Sequence, residues 1–295
     1  MSETIIVAVV NHKGGTGKST TAWASAAELA LRGLKVLVVD LDAQASLSLA
    51  TGVLQPERTV WTALETLLKT GGVPPLDDII VHLTPDGLDL LPANLALSAA
   101  DLALGDADLD LLEIERRELV LRKLLAPVAA SGAYDVILLD CPPALSLLVL
   151  NALAAAQEVI IPVQPDYLAV GGLSLFLQTV ARVRHPKLNP ALRIRGLVLT
   201  MTASHTKHDE SYIPQLHEVA RSQRFPVLAE VPRATSVRDA TAAGVPPTLY
   251  ARRQPAGEAY VALADQLIDD WGYRSLVEER AAEKERQQMG EVVNG

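Results

Sequence analysis

The chain has 295 residues and a net charge of −9, with 49% hydrophobic but only 4% aromatic residues, enough apolar material for one large α/β domain or two small ones. Its single cysteine, Cys141, excludes an internal disulfide and a cysteine-rich metal site within one chain. The start of the chain lacks a signal-peptide pattern, and no uncharged apolar run approaches the ~20 residues that cross a bilayer. We therefore expect a cytoplasmic protein.

Short apolar runs in chain order predict the strands of a sheet. They are "TIIVAVV" (4–10), "KVLVVD" (35–40), "GLDLLPAN" (87–94, a strand and turn), "YDVILLD" (134–140), "EVIIPVQ" (158–164), "IRGLVLT" (194–200) and "PVLAEVP" (226–232). Helices are predicted between them, including 19–32 before Gly33, 59–69, and a long amphipathic helix over 112–131. This alternation predicts an α/β fold with a twisted, mainly parallel sheet and helices on both faces.

The sequence shows no boundary that would divide this fold. It contains no internal repeat and no linker rich in serine and glycine, so we expect one domain over residues 1–273. Residues 274–295 are polar, and we expect them to form a frayed helix or a flexible C-terminal tail.

The segment "NHKGGTGKST" (11–20) joins the first strand to the first helix and almost fits the phosphate-loop pattern G-x-x-x-x-G-K-[ST]. His12 stands where the first glycine is expected, and an additional lysine, Lys13, follows it. Backbone N–H groups from Gly14 to Lys18 can surround phosphate oxygens at the helix N-terminus. Lys18 is then placed for the β- and γ-phosphates and the Ser19 hydroxyl for Mg²⁺. The alternative, a glycine-rich turn with two surface lysines, fits poorly between a strand and a helix.

Aspartates end two of the other predicted strands. Asp140 closes "VILLD", and its carboxylate is expected beside the loop, where it can hold Mg²⁺ through water. Asp40 and Asp42 end the neighbouring strand in "VVDLDAQ", and a carboxylate next to the phosphates can orient the attacking water. Each aspartate alone is also compatible with an ordinary strand end.

Together these motifs resemble the ParA/MinD group of P-loop ATPases. "KGGTGKST" is similar to the deviant Walker A motif of that group, "VVDLDAQASLS" to its second motif, and "YDVILLDCPPALSLLVLNAL" to its Walker B region. The ParA/Soj partition branch is matched further on by "IIPVQPDYLAVGGLSLFL", "LVLTM", "VPRATSVRDATAAGVPPTLY" and "AGEAYVALADQL". The resemblance covers roughly residues 3–271.

The resemblance implies an ATP hydrolase that uses ATP and Mg²⁺, with weak intrinsic activity stimulated by DNA and a partner protein. It implies that Lys13 reaches the phosphates bound to the other subunit of an ATP-sandwich homodimer, while Lys18 serves its own nucleotide. The expected catalytic residues are Lys13, Lys18 and Asp42, and the expected Mg²⁺ residues are Ser19, Asp42 and, through water, Asp140. The expected nucleotide-binding residues are Lys13, Gly14, Gly15, Thr16, Gly17, Lys18, Ser19, Thr20, Met201 and Pro232.

The resemblance also implies non-specific binding of double-stranded DNA, association with the nucleoid, and a ParB-like centromere-binding partner. Residues 182–253 hold twelve Lys and Arg against five Asp and Glu, although the rest of the chain holds fourteen against thirty. His205 stands roughly where many relatives place a DNA-binding arginine. The expected DNA-binding residues are Lys207, Arg221, Arg224, Arg252 and Arg253, for which the alternative is a solvated basic face.

These features favour a partition ATPase that binds DNA as the ATP-bound dimer and is released after hydrolysis. One alternative is a ParA-like positioning ATPase for a non-DNA cargo that uses the nucleoid as its track. A metabolic ATP-dependent enzyme is disfavoured, because no substrate-specific site is evident beyond the nucleotide site. The tail carries acids throughout and few large apolar residues, so membrane binding is not expected.

Overall fold

The computed structural model describes residues 4–84, 87–113, 115–203 and 207–294, with the backbone alone for 207–210 and 288–294. Its strands are β1 (Ile5–Val9), β2 (Val36–Asp40), β3 (Val81–Thr84), β4 (Leu88–Leu91), β5 (Val136–Asp140), β6 (Glu158–Val163), β7 (Arg193–Thr202) and β8 (Val227–Pro232). They form one sheet in the order β3-β4-β2-β5-β1-β6-β7-β8. Neighbouring strands are parallel except at the β3 edge, where β3 runs antiparallel to β4.

The helices of the described residues are α1 (Lys18–Leu31), α2 (Ser46–Ala50), α3 (Val60–Thr70), α4 (Ala100–Gly105), α5 (Val120–Ala130), α6 (Leu147–Ala155), α7 (Tyr167–Val183), α8 (Lys207–Ser222), α9 (Thr235–Ala242), α10 (Pro247–Tyr250), α11 (Pro255–Asp270) and α12 (Arg274–Asn294). None of these helices combines the length and the apolar composition that crossing a membrane requires.

Helices cover both faces of the sheet, which confirms the predicted α/β class. Leu37 and Val39 of β2 face one core, which packs against α3 to α8. Val36 and Val38 face the second core, built mainly with α1 and α11. Because successive side chains of a strand point to opposite faces, continuously apolar strands are needed to fill two cores. Sequence analysis missed β3, a short edge strand whose residues are only partly buried or exposed.

The long helix predicted over 112–131 is wrong in its first part. A 3-10 turn occupies Arg117–Leu119, and α5 begins only at Val120. The buried Asn151 of α6 fixes this boundary, because its amide donates to the Arg117 carbonyl and accepts from the Leu121 N–H, both at 3.0 Å. Tertiary hydrogen bonds therefore override the helical periodicity before Val120.

The polar C-terminal segment forms helix α12 in the structure. Its first turns pack Leu276 and Val277 against the core that contains α1. Arg280 donates to the Gly33 carbonyl at 2.8 Å and forms an ion pair with Asp135. One arginine thus connects α12 to the end of α1 and to the residue before β5.

Candidate nucleotide-binding site

The candidate site lies at the carboxyl edge of the sheet, where β1 is flanked by β5 and β6. Val9 of β1 and Asp40 of β2 both pair in register with Asp140 of β5. β5 and β6, which follow each other in the chain, lie on opposite sides of β1. In parallel α/β sheets this arrangement opens a crevice for ligands at the carboxyl edge. The loop over residues 10–17 crosses this crevice and leads into α1.

Contacts with two neighbouring strands hold the loop. Asn11 donates from its amide to the Pro162 carbonyl of β6 at 2.7 Å. The Thr200 hydroxyl of β7 donates to the Thr16 carbonyl at 2.9 Å. Gly15 and Gly17 have φ values of 73° and 80°, in the left-handed region that glycine enters without strain. The loop is thus shaped by its glycines and anchored at both ends.

Lys18 begins α1, and its side chain is largely buried at the centre of the loop. Its ammonium donates to the Lys13 carbonyl at 3.1 Å. Burial lowers the pKa of Lys18, and the nearby Asp140 carboxylate opposes that shift. The loop therefore presents a cation together with the N-terminus of α1, a combination that binds phosphate.

The buried carboxylates of Asp40 and Asp140 lie close to each other and to Lys18. Asp40 accepts hydrogen bonds from the Ser48 N–H at 2.9 Å, the Ser48 hydroxyl at 2.7 Å and the Asp42 N–H at 3.1 Å. Burial nevertheless raises the pKa of Asp40 to about 6. Its bond to the Asp42 N–H orients the residue that we expect to position water.

Asp140 is fully buried, and neither carboxylate oxygen has a hydrogen-bond partner in the described part of the chain. Burial raises the pKa of Asp140 well above its ordinary value, and repulsion from Asp40 adds to the rise. The Ser19 hydroxyl opposes this rise without reaching the geometry of a hydrogen bond. A buried acid with two unpartnered oxygens next to a serine hydroxyl fits a hydrated Mg²⁺.

A cavity of about 580 Å³ extends from the loop along the ends of β7 and β8. Of the predicted site residues, it is lined by Gly15, Thr16, Gly17, Lys18, Ser19, Thr20, Asp42, Met201 and Pro232. Lys13, Gly14 and Asp140 are not among its lining residues. Among the other lining residues, sequence analysis missed Thr200, Arg233, Arg238 and Tyr260, which carry no motif that marks them individually.

Lys13 has a different environment from Lys18. Its ammonium forms an ion pair with Asp166, and its side chain keeps 33% exposure. Asp166 is also the N-cap of α7, where it accepts from the N–H groups of Leu168 and Ala169 at 3.1 and 3.0 Å. Sequence analysis missed Asp166, although an aspartate directly before a helix is a capping signal.

The predicted DNA-binding residues lie on two separate elements. Arg221, in the last turn of α8, is exposed and pairs with Glu218 at 3.0 Å, and Arg224 follows that helix. Arg252 and Arg253 lie in the turn between α10 and α11, and Arg252 pairs with the buried Glu28 of α1. The side chain of Lys207 and the whole of His205 lie outside the described residues.

The sheet, its strand order and the anchored glycine loop define a P-loop nucleotide-binding protein. Residues 4–194 match a family model described as an AAA domain. The chain is 36% identical over 280 residues to the chromosome-partitioning ATPase Soj of Treponema pallidum, covering 93% of this chain and 100% of that protein. It is 34% identical over 263 residues to the chromosome partitioning protein ParA of Caulobacter vibrioides, covering 89% and 93%. The chain belongs to the ParA/Soj-type P-loop ATPases and is an ATP hydrolase.

Solved structures include a similar protein with nucleotide and metal bound. Cobyrinic acid a,c-diamide synthase from Mycobacterium smegmatis, with ADP and magnesium, is 34% identical and has a TM-score of 0.72. The similarity covers 91% of this chain and 96% of that one. The Soj and ParA relatives confirm the predicted resemblance to the ParA/Soj-type ATPases.

The unpartnered carboxylate of Asp140 gives a first prediction. Asp140→Asn should raise the stability of the nucleotide-free protein at pH 7.5 by about 2 kcal/mol, or roughly 3 °C in Tm, because a buried carboxylate without a hydrogen-bond partner is neutralised. A folded-state pKa above the unfolded value favours folding at low pH, and this contribution is lost as pH rises through the folded pKa. The advantage of the variant should therefore vanish near pH 4.

Thermal denaturation in EDTA between pH 4 and pH 8 measures this difference. Asp135→Asn is the matched control, because Asp135 is paired with Arg280 and its neutralisation should lower Tm at neutral pH. A lower Tm of Asp140→Asn at pH 7.5 would show that the Asp140 carboxylate stabilises the nucleotide-free fold.

Proposed function

We propose that the protein is the ATPase of a DNA-partition system, which forms a dimer around two ATP molecules and binds DNA in that state. Hydrolysis, stimulated by a ParB-like partner, separates the dimer and releases it from the nucleoid. The relatives named as chromosome partitioning proteins support the cellular role. The observation that carries the proposal is the separation of the two lysines of the phosphate loop.

Lys18 lines the nucleotide cavity, whereas Lys13 does not and is paired with Asp166 outside it. Two ammonium groups on one set of phosphates in a single chain would repel each other. Two nucleotides between facing subunits supply enough negative charge to hold both lysines. Exchange of Asp166 for a phosphate of the partner's nucleotide would therefore link dimer formation to ATP.

Exposed apolar side chains lie on α7, the helix that Asp166 caps. Tyr167, Leu168 and Leu175 are 75%, 66% and 58% exposed on α7. Large exposed apolar groups on a helix that begins beside the ion pair of Lys13 and Asp166 suit a surface covered by a second copy of the chain. These contacts would supply the apolar part of the dimer interface.

Within each site the chain's own residues have separate tasks. Backbone N–H groups at Gly15 to Lys18 and the Lys18 ammonium would bind the phosphates. Ser19, Asp42 and, through water, Asp140 would hold Mg²⁺, which supplies charge neutralisation at the phosphates. Asp42 would orient the attacking water, with its own backbone fixed by Asp40.

Dimer formation with ATP is tested by substitution of Lys13. Lys13→Ala should bind ADP as a single chain, because Lys13 lies outside the nucleotide cavity, and should lose ATP-dependent dimerisation. Light scattering with a non-hydrolysed ATP analogue, at protein concentrations where the wild type is dimeric, measures the loss. Tight dimers of Lys13→Ala would contradict the role of Lys13 across the interface.

Asp166→Asn is the matched control with the opposite expected effect. Asparagine retains the N-cap acceptor of α7 but removes the charge that holds Lys13. Since a partly exposed ion pair of this kind contributes about 0.2–1 kcal/mol, the variant should dimerise at roughly 1.5- to fivefold lower nucleotide concentration. A higher requirement for ATP would show that Asp166 supports the dimer rather than the single chain.

A further inference from the structure

The buried side of the basic turn at residues 251–254 shows a charge network between α1 and α11. Glu28 of α1 is 0% exposed, and one of its carboxylate oxygens pairs with Arg252. The other oxygen pairs with Arg32, which also donates to the Asp265 carboxylate of α11 at 2.7 Å. The negative charges of two acids and the positive charges of two arginines therefore balance around the Glu28 carboxylate, which has no access to water.

The backbone of the turn is held in place as well as the Arg252 side chain. A Cβ atom on Gly257 of α11 would lie 2.3 Å from the Ala251 carbonyl oxygen and 3.0 Å from the Arg252 Cα. The Gln254 N–H donates to the same Ala251 carbonyl at 3.0 Å. The turn thus lies directly on α11, at a distance that only glycine allows.

Arg253, the next residue, has the opposite environment. Its side chain is exposed, and within the described part of the chain no hydrogen bond or ion pair involves it. Breaking the pair between Arg252 and Glu28 would leave a buried acid with one fewer cation, which is costly. Arg253 can offer its whole guanidinium to a phosphate without such a loss, whereas Arg252 would have to share its guanidinium with the buried Glu28.

We infer that Arg253 is the DNA-contacting arginine of this turn, and that Glu28 and Arg252 are positioning residues that fix the turn on the phosphate-loop helix. This inference rests on the proposed function, since it assigns part of the proposed DNA site. Glu28 lies ten residues after Lys18 on α1, about 15 Å along the helix axis. The basic turn is therefore attached to the same rigid element that begins at the nucleotide.

A salt series separates a contact from a positioning role. Each phosphate neutralised contributes about −0.9 to the slope of log K against log salt. Arg253→Met should make the slope of the ATP-bound dimer shallower by about 1.8, since both subunits lose a contact. Arg252→Met and the charge-conserving Arg252→Lys should weaken DNA binding about three- to tenfold while leaving the slope unchanged.

Glu28→Gln tests the positioning role by the sign of its effect. If only electrostatics mattered, removal of a negative charge near DNA would strengthen DNA binding. We expect this result for the matched control Glu258→Gln, whose side chain is exposed. Loss of the anchor predicts weaker binding for Glu28→Gln, by about threefold or more. Fluorescence anisotropy on a labelled random-sequence duplex measures each variant, after light scattering has shown that it dimerises with ATP.

The outcomes distinguish this inference from the proposed function. Absence of ATP-dependent DNA binding by the wild type would overturn the proposed function. With wild-type binding present, a shallower slope for Arg252→Met but not for Arg253→Met would overturn the inference. Stronger binding by Glu28→Gln would also overturn it. If Glu28→Gln does not fold, Arg252→Lys decides, because unchanged affinity in that variant removes the positioning role.

Discussion

Replacement of Lys18 by alanine should lower ATP affinity by about 100-fold or more, equivalent to about 2.7 kcal/mol. The variant loses the buried ammonium that lines the cavity at the start of α1. A cation held in a partly desolvated site contributes more to phosphate binding than an exposed lysine does. The loss also leaves Asp140 without a nearby positive charge, which increases the repulsion between that carboxylate and the phosphates.

Isothermal titration of ATP and ADP into Lys18→Ala measures this effect. Lys13→Ala is the matched control from the same loop, and its ADP affinity should stay within about threefold of the wild type. Both proteins should also be compared by thermal denaturation without nucleotide, so that a folding defect is recognised. Near-normal ATP affinity of Lys18→Ala would contradict its assignment to the phosphates.

Asp42→Ala should reduce the rate of ATP hydrolysis by about 10²- to 10⁴-fold while leaving ATP binding within about tenfold of the wild type. Asp42 lines the cavity, but the loop that binds the phosphates does not depend on its carboxylate. The structural contact that would be lost is the bond from the Gln44 N–H at 2.9 Å. The variant should therefore form the ATP-bound dimer and remain in it.

Asp42→Asn separates the charge from this contact, because an amide oxygen can still accept from Gln44 but cannot orient water as a carboxylate does. Phosphate release and light scattering should show both variants as dimers that turn over slowly with ATP. Hydrolysis by Asp42→Asn at the wild-type rate would show that the negative charge is not required. A monomeric Asp42→Ala with ATP would assign Asp42 to assembly instead.

The sheet could be predicted because its strands are buried on both faces and therefore apolar throughout. Val36 to Val39 are all buried. Their composition therefore indicates both a strand and its place inside a parallel sheet. Because that strand ends at Asp40, the sequence also places the acidic residues at the carboxyl edge of the sheet, where the structure has them. Positions in the phosphate loop could be predicted because the chemistry of phosphate binding needs a fixed spacing of glycine, lysine and serine.

Contacts between distant elements could not be predicted from local pattern. Asn151 ends the 3-10 turn before α5 through its side-chain amide, although it belongs to a different helix. The ion pair of Lys13 with Asp166 joins residues 153 positions apart. The resemblance implies a DNA contact for Arg252, and the structure shows in addition an ion pair of this residue with a buried acid of α1. The sequence shows that a residue is charged, whereas the fold decides whether that charge is already compensated.

The most direct measurement of the central claim is binding of the wild-type protein to a labelled random-sequence duplex with ATP, with ADP and without nucleotide. Fluorescence anisotropy at several salt concentrations should show tight binding with ATP alone and equal affinity for duplexes of unrelated sequence. The affinity should decrease steeply with salt, because a chain with a net charge of −9 can bind DNA only through its basic surfaces. Equal binding with ADP and ATP would contradict a DNA site that is assembled by the ATP-bound dimer.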